Sequence, residues 1–226
     1  MPSHQESLIT KLADFGYSTD TFIATWDSTC SSDCRTRSSD VKLPLDEICE
    51  ITRPLSVKLF TYGQIKENFH HSKFKIKPEF LGGAEKFHMI DGYLSSGVSQ
   101  SFLVYHSNLL KTEQEQLTGV KYDLVFSVRP DFKIDKLVIE QNDKLNLMDT
   151  YRSYSASDMF AYGSSFVMDN YSSVFTNLGF LLEEYDGKGQ DNDQRPQFAG
   201  FEQMIFRHIQ QKNIEFNVSN VSISRA

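Results

Sequence analysis

The chain has few cysteines, no long apolar run and no excess of basic residues. Its three cysteines, Cys30, Cys34 and Cys49, are an odd number, which argues against a disulfide framework and fits a reducing compartment. No apolar run reaches the ~18 residues that a membrane helix needs, and residues 1–15 lack the apolar core of a signal peptide. Lys and Arg total 23 against 30 Asp and Glu, so the net charge of -7 argues against a general nucleic-acid binder. We therefore expect a cytoplasmic protein with no transmembrane segment and no nucleic-acid partner.

The length and composition are those of one globular domain. A chain of 226 residues can bury one substantial core, and a second domain would be cramped. With 18 Phe and 10 Tyr, it carries more aromatic residues than a disordered chain does. We therefore treat residues 1–226 as a single domain.

Helical and extended patterns alternate along the chain. Apolar residues recur at helical spacing in four segments, which are residues 5–15, 99–117, 165–182 and 201–211. Strand-forming runs fall between them, at residues 21–25, 56–62, 122–132, 136–140, 158–162 and 214–225. This alternation predicts an α/β sandwich built around a mixed, mostly parallel central sheet flanked by helices.

The segment YDLVFSVRPDF, residues 122–132, carries the clearest functional signal. Its apolar run is typical of a central strand, and Pro130 marks where the strand ends because proline cannot donate to a sheet. Asp131 is then delivered to the carboxyl edge of the strand, where open α/β sheets bind their ligands. A carboxylate there can hold a divalent cation against a phosphate. The alternative is a surface turn after a core strand.

Four segments in order resemble a known group of enzymes. They are TFIATWD, YDLVFSVRPDF, SASDMFAYGSSFVMDNYSSVF and GFEQMIFRHI, and together they span roughly residues 20–225. The set resembles the nucleotide-sugar glycosyltransferases of bacterial polysaccharide clusters and large viruses, which are similar to GT-A enzymes. The resemblance implies transfer from a nucleotide-diphosphate sugar to a glycan or lipid-linked acceptor hydroxyl, assisted by Mn²⁺ or Mg²⁺. It also implies a role in polysaccharide biosynthesis, in the cytoplasm or at the membrane periphery.

The resemblance places Arg129, Pro130 and Asp131 where GT-A enzymes carry their metal-binding DxD motif. Asp131 would be the metal ligand. Arg129 stands in place of the first aspartate and would contact phosphate directly, partly substituting for metal charge. The alternative for Arg129 is an ion pair with a local carboxylate such as Asp123 or Asp135.

The other three segments each supply one candidate residue. Asp27 would bind the base or ribose, although an aspartate there can equally cap a turn. Asp158 would bind sugar hydroxyls, or cap a turn. Glu202, in the first turn of the last predicted helix, would be the catalytic base of an inverting reaction, or would only complement the helix dipole. Trp26 and His208 are interpreted as structural residues.

One departure from the resembled group is at the start of the chain. A GT-A domain normally opens with an apolar strand whose end binds the nucleotide base, whereas this sequence begins with a polar segment and the helix at residues 5–15. The chain is then a truncated member, or another segment replaces that strand. Together with the incomplete DxD motif, this favours an alternative function as a degenerate, non-catalytic sugar-nucleotide-binding or interaction domain.

Overall fold

The structure is a computed structural model. It describes residues 4–26, 28–29, 41–42, 45–61, 64, 89–90, 93–94, 96–129, 132–148, 156–183, 201–219 and 221–225. The hydrophilic sequence DGKGQDNDQRPQ at residues 186–197, whose composition predicts a loop, lies outside these ranges, as do the adjacent histidines His70 and His71.

The described elements alternate between helices and strands. The helices are α1 (His4–Asp14), α2 (Leu45–Thr52), α3 (Ser96–Thr118), α4 (Ser165–Ser172), α5 (Val174–Glu183) and α6 (Phe201–Gln211). The strands before the long helix α3 are β1 (Phe22–Trp26), β2 (Ser28–Thr29), β3 (Val41–Lys42), β4 (Ser56–Phe60), β5 (Met89–Ile90) and β6 (Tyr93–Leu94). Those after it are β7 (Val125–Val128), β8 (Phe132–Lys136), β9 (Leu145–Leu147), β10 (Phe160–Gly163), β11 (Phe216–Val218) and β12 (Ser222–Arg225). The predicted helices at residues 5–15, 99–117 and 201–211 are confirmed.

The sheet is mixed, as expected, but it is not mostly parallel among the described strands. The largest sheet has the order β11–β9–β10–β7, in which β10 is antiparallel to both neighbours and β11 is parallel to β9. Strands β1 and β4 form a parallel pair, and β8 and β12 an antiparallel one. Parallel neighbours need a long crossover, usually a helix. The described chain between β7 and β10 holds strands and no helix, so β10 returns antiparallel to β7.

Two elements differ from their predicted form, and others were not predicted. The helix expected at residues 165–182 is interrupted at Ser173, whose hydroxyl donates to the Asn170 carbonyl at 2.7 Å. The strand expected at residues 136–140 lies earlier, at Phe132–Lys136, where it pairs with β12. Helix α2 and the three-residue strand β9 were not predicted. Helix α2 does carry a helical signal, since Leu45, Ile48 and Ile51 recur every three residues behind an acidic first turn, whereas β9 is too short to show a period.

The core lies on both faces of the four-stranded sheet. Side chains alternate between faces along a strand, so on β10 Ala161 joins one apolar cluster while Phe160 and Tyr162 join the other. The first cluster is covered by helices α3 to α6, and the second by α1 and β8. Helix α3 packs against β1, β4, α4, α5 and α6, and so joins the parallel pair to the rest of the fold. Within the described ranges, no helix combines the length and the apolarity that a membrane crossing requires.

Candidate functional site

Two predicted site residues, Arg129 and Asp158, lie in contact at one edge of the sheet. Arg129 follows the last residue of β7, and Asp158 stands two residues before β10, the antiparallel neighbour of β7. The Arg129 Nη1 donates to Asp158 Oδ2 at 3.0 Å, and the Arg129 amide donates to the Met159 carbonyl at 3.0 Å. The carboxylate that pairs with Arg129 in the described contacts is therefore Asp158, rather than the local Asp123 or Asp135.

The two charges of this ion pair differ in their exposure. The Asp158 side chain is 9% exposed, whereas the Arg129 side chain is 35% exposed. Beneath the carboxylate lies the fully buried Tyr171, whose pKa is raised by burial and then by the negative charge of Asp158. The carboxylate therefore faces the protein interior, and the guanidinium reaches the solvent.

Residues 156–159, which we call the 156–159 segment, connect this pair to two helices. Gln100 of α3 donates from Nε2 to the Asp158 carbonyl at 3.2 Å. The Ala156 amide donates to the Glu202 carbonyl at 3.1 Å, and Glu202 stands in the first turn of α6 with an exposed side chain. The predicted base is therefore brought to the same region of the fold as Arg129 and Asp158.

The carboxyl ends of β1 and β4, which form a separate parallel pair, pack against the start of helix α3 near the 156–159 segment. Trp26 and Phe60 are the paired last residues of these two parallel strands. The Trp26 indole donates to Ser99 Oγ at 3.1 Å and stacks on Phe102, with ring centroids 5.6 Å apart and planes inclined by 11°. Ser99 is the chain neighbour of Gln100, so this aromatic group adjoins the 156–159 segment. The structural role expected of Trp26 is confirmed by this packing.

Asp27 and Asp131, the two remaining predicted residues, lie outside the described residues. Asp27 follows Trp26, and Asp131 follows Arg129 and Pro130 in the sequence. Their roles stay predictions. Among the described residues, no three His, Cys, Asp or Glu side chains stand close enough to hold a metal ion together.

A buried charge network that the sequence did not predict joins α3 to α4. Lys111 is 2% exposed, and its Nζ contacts Glu115 Oε2 at 3.1 Å, Ser165 Oγ at 2.6 Å and Asp169 Oδ1 at 2.7 Å. Glu115 also accepts from Lys121 at 2.7 Å and from Ser165 at 2.6 Å. Every group is satisfied within the network, so we interpret it as structural. The only signal in the sequence was the i, i+4 spacing of Lys111 and Glu115.

Hydrogen bonds donated to Glu115 keep its side chain ionised. Burial by itself would raise the pKa of Glu115. Hydrogen bonds from Lys121, Ser165, the Tyr122 amide and Lys111 outweigh burial and lower the pKa to about 2. Glu115 is therefore a carboxylate at any physiological pH.

An open groove of about 490 Å³ lies beside α1 and the chain that follows β8. Its lining is largely apolar and consists of Phe15, Tyr17, Leu137, Val138, Ile139 and Gln141. None of the described candidates, Arg129, Asp158 and Glu202, lines it, so the groove and the charged strand edge are separate features among the described residues. We place the candidate site at the strand edge, since that is where the polar groups converge.

Comparisons with known proteins do not identify the site, so it is assigned from its own geometry. No family model, no curated protein and no solved structure matches this chain. The resemblance drawn from the sequence motifs therefore stays a prediction.

Proposed function

We propose that the protein is a GT-A-like glycosyltransferase. It would move a sugar from a nucleotide-diphosphate donor to a hydroxyl of a glycan or lipid-linked acceptor. The observation that carries the proposal is the contact of the 156–159 segment with Arg129 on one side and with the start of α6 on the other. The 156–159 segment thereby links Arg129 and the backbone of Glu202, which are far apart in the sequence and were each proposed for this chemistry.

Arg129 is the proposed phosphate contact. Its side chain is 35% exposed at the end of β7, so a ligand at the edge can reach the guanidinium. Guanidinium groups match phosphate oxygens with parallel N–H donors and keep their charge at all physiological pH values. Arg129 would thus bind the donor diphosphate and stabilise the negative charge that develops on it as the sugar leaves.

Metal assistance depends on Asp131. A cation held by this carboxylate would neutralise charge on the diphosphate. The described residues do not form a metal site by themselves, so the proposal for Mn²⁺ or Mg²⁺ depends on the sequence motif alone. The roles given to Arg129 and Glu202 do not require it.

Glu202 is the proposed general base. Its side chain is exposed in the first turn of α6, where an acceptor hydroxyl can approach it. The carboxylate would take the hydroxyl proton as the hydroxyl oxygen attacks the anomeric carbon. The bond from that carbon to the diphosphate oxygen breaks, and the nucleoside diphosphate departs with the electron pair. Direct attack on the face opposite the leaving group inverts the anomeric configuration.

A second candidate function is a binding domain without turnover. The incomplete DxD motif favours it, because Arg129 stands in place of the first metal-binding aspartate, and a donor held without a firmly bound cation would be bound but not cleaved. This alternative predicts sugar-nucleotide binding with no hydrolysis or transfer.

A thermal-shift and hydrolysis screen with UDP-, GDP- and dTDP-sugars, with and without Mn²⁺, tests the proposal. We expect one nucleotide class to stabilise the protein in the presence of Mn²⁺, together with slow hydrolysis of the donor. Both effects should be lost in Asp131→Ala. Glu202→Gln should keep donor binding and lose roughly 10²-fold or more of the rate, as expected for a general base.

Asp135→Ala is the matched control, since Asp135 is an exposed carboxylate on β8. It should behave as the wild type does. Stabilisation without hydrolysis would favour the binding domain, and a flat response to every donor would contradict both candidate functions.

A further inference from the structure

The contacts of Asp158 point to a role other than binding sugar. Its carboxylate is 9% exposed and bonds the Arg129 guanidinium at 3.0 Å. Its carbonyl accepts from Gln100, and the next carbonyl, that of Met159, accepts from the Arg129 amide. These hydrogen bonds to the carbonyls of Asp158 and Met159 fix the backbone at Asp158, and the Asp158 side chain contacts Arg129.

Because the Asp158 carboxylate is buried, separating it from Arg129 is unfavourable for any ligand that binds there. If a phosphate drew Arg129 away, Asp158 would be left as an uncompensated charge beside the buried Tyr171, which is strongly unfavourable. Arginine has five N–H donors on a planar group and can contact two anions at once. A bound phosphate is therefore expected to join the ion pair at its exposed side and to leave Asp158 in place.

We propose that Asp158 is a positioning residue that fixes the Arg129 guanidinium at the strand edge in the orientation that receives a phosphate anion. This inference depends on the proposed function for the identity of that anion, the donor diphosphate. It replaces the predicted role of Asp158 as a ligand of sugar hydroxyls. The carboxylate stabilises binding by removing the freedom of a long side chain before the ligand arrives.

Titration of inorganic pyrophosphate by calorimetry, with and without Mn²⁺, tests the assignment without any sugar or nucleoside. Arg129→Ala should abolish the binding that the guanidinium supplies. Asp158→Asn keeps the shape but removes the charge, and it should weaken pyrophosphate binding by up to about tenfold, as expected when a long side chain must be immobilised on binding. Asp158→Glu restores the charge and should recover most of the affinity.

Two further measurements separate positioning from a loss of structure. Thermal unfolding of Asp158→Asn should stay close to that of the wild type, since the substitution leaves no buried charge behind. Asp135→Asn changes an exposed carboxylate on the neighbouring strand in sequence, β8, and should not alter pyrophosphate affinity.

Any one of three other outcomes would overturn the inference. Tighter pyrophosphate binding in Asp158→Asn would show that Asp158 competes with the anion for Arg129. Unchanged pyrophosphate binding with weaker donor binding would return Asp158 to its role as a sugar ligand. No pyrophosphate binding by the wild type in either condition would remove the anion site.

The inference and the proposed function can fail separately. If pyrophosphate binds and depends on Asp158 while no donor is hydrolysed, the positioning role stands and the transferase does not. If a donor is hydrolysed but Asp158→Asn binds pyrophosphate as the wild type does, the transferase stands and the positioning role is wrong.

Discussion

His208 is buried and His106 half-buried, and in the described contacts His208 alone is hydrogen-bonded at both ring nitrogens. His208 Nε2 lies 2.8 Å from the Asn170 carbonyl, and Nδ1 lies 3.2 Å from Asn177 Nδ2. His106 stands between Phe60 and Phe102, and its buried Nδ1 has no hydrogen-bond partner. Burial lowers the pKa of each imidazole, so both are held in the neutral form.

These environments predict opposite responses to an apolar substitution. His106→Phe removes an unsatisfied polar atom and completes an aromatic cluster, so it should leave stability unchanged or raise it by about 1 kcal/mol. His208→Leu removes the hydrogen bonds of both ring nitrogens at a buried position and should cost about 2 kcal/mol. Urea unfolding of both variants measures the difference. A loss in His106→Phe as large as that in His208→Leu would mean that His106 makes a polar contact that the fold needs.

At the scale of elements, the charge network of Glu115 decides how α3 meets α4. The Glu115 side chain is fully buried, and Lys111 and Lys121 both contact it. Removing one member of a buried network leaves the remaining charges without their partner. The free energy lost in this way is larger than the net stabilisation that the whole network provides. Glu115→Gln should therefore destabilise the protein by about 3 kcal/mol, whereas Glu113→Gln on the exposed side of the same helix should change little.

The same network predicts a dependence on pH. The pKa of Glu115 is about 2 in the folded protein and 4.5 ordinarily, so the unfolded chain takes up the proton first. The stabilisation by the carboxylate is then complete above about pH 4.5, falls as the pH decreases, and is gone below about pH 2. The difference in unfolding free energy between wild type and Glu115→Gln should shrink over that interval. A difference that stays constant down to pH 3 would contradict the low pKa.

Two glycines differ in what a side chain would meet. A Cβ at Gly163, the last residue of β10, would lie 3.0 Å from Val167 Cγ1 and 3.2 Å from the Lys144 carbonyl oxygen. A Cβ at Gly179, in the middle of α5, would meet nothing within 4 Å. Gly163→Ala should therefore cost about 1–3 kcal/mol through crowding, while Gly179→Ala should stabilise the helix by about 0.5–1 kcal/mol. Thermal unfolding of the two variants should move in opposite directions, and a gain in both would show that β10 and α4 can separate without cost.

At the scale of the whole molecule, the two inner strands of the four-stranded sheet are its most protected part. Leu145, Leu147 and Ala161 are 0% exposed, with apolar clusters on both faces of the sheet. Strand β11, in contrast, pairs only with β9 among the described strands, and its Phe216 and Val218 are 36% and 51% exposed.

The rate of amide hydrogen exchange should follow this difference in burial between the inner strands and the edge strand β11. Amides of β9 and β10 that bond within the sheet should exchange only through global unfolding, because no smaller opening frees them. Amides of β11 should exchange faster through local separation of the edge. Mass spectrometry of peptic fragments covering residues 145–147, 160–163 and 216–218 measures both. Equal protection of all three segments would mean that the sheet opens as one unit.

The sequence by itself determined the elements whose signals are local. The apolar period over residues 201–211 predicted α6 at Phe201–Gln211, because a helix of that length shows its buried face in its own residues. Pro130 likewise located the end of β7, which stops at Val128. The mixed α/β class followed from the alternation of such elements along the chain.

Only the tertiary structure decided which elements lie side by side. Strand direction depends on which partner a strand finds, so the antiparallel return of β10 left no local trace. The pairing of Arg129 with Asp158 joins residues 29 positions apart, and the proximity of Glu202 to the 156–159 segment depends on how α6 packs. The burial that sets the pKa of Glu115 is likewise imposed by distant chain. Hydrogen bonds, burial and charge act between residues that are neighbours in space. The sequence can therefore indicate candidate residues for a site, but only the packing of the fold brings them together.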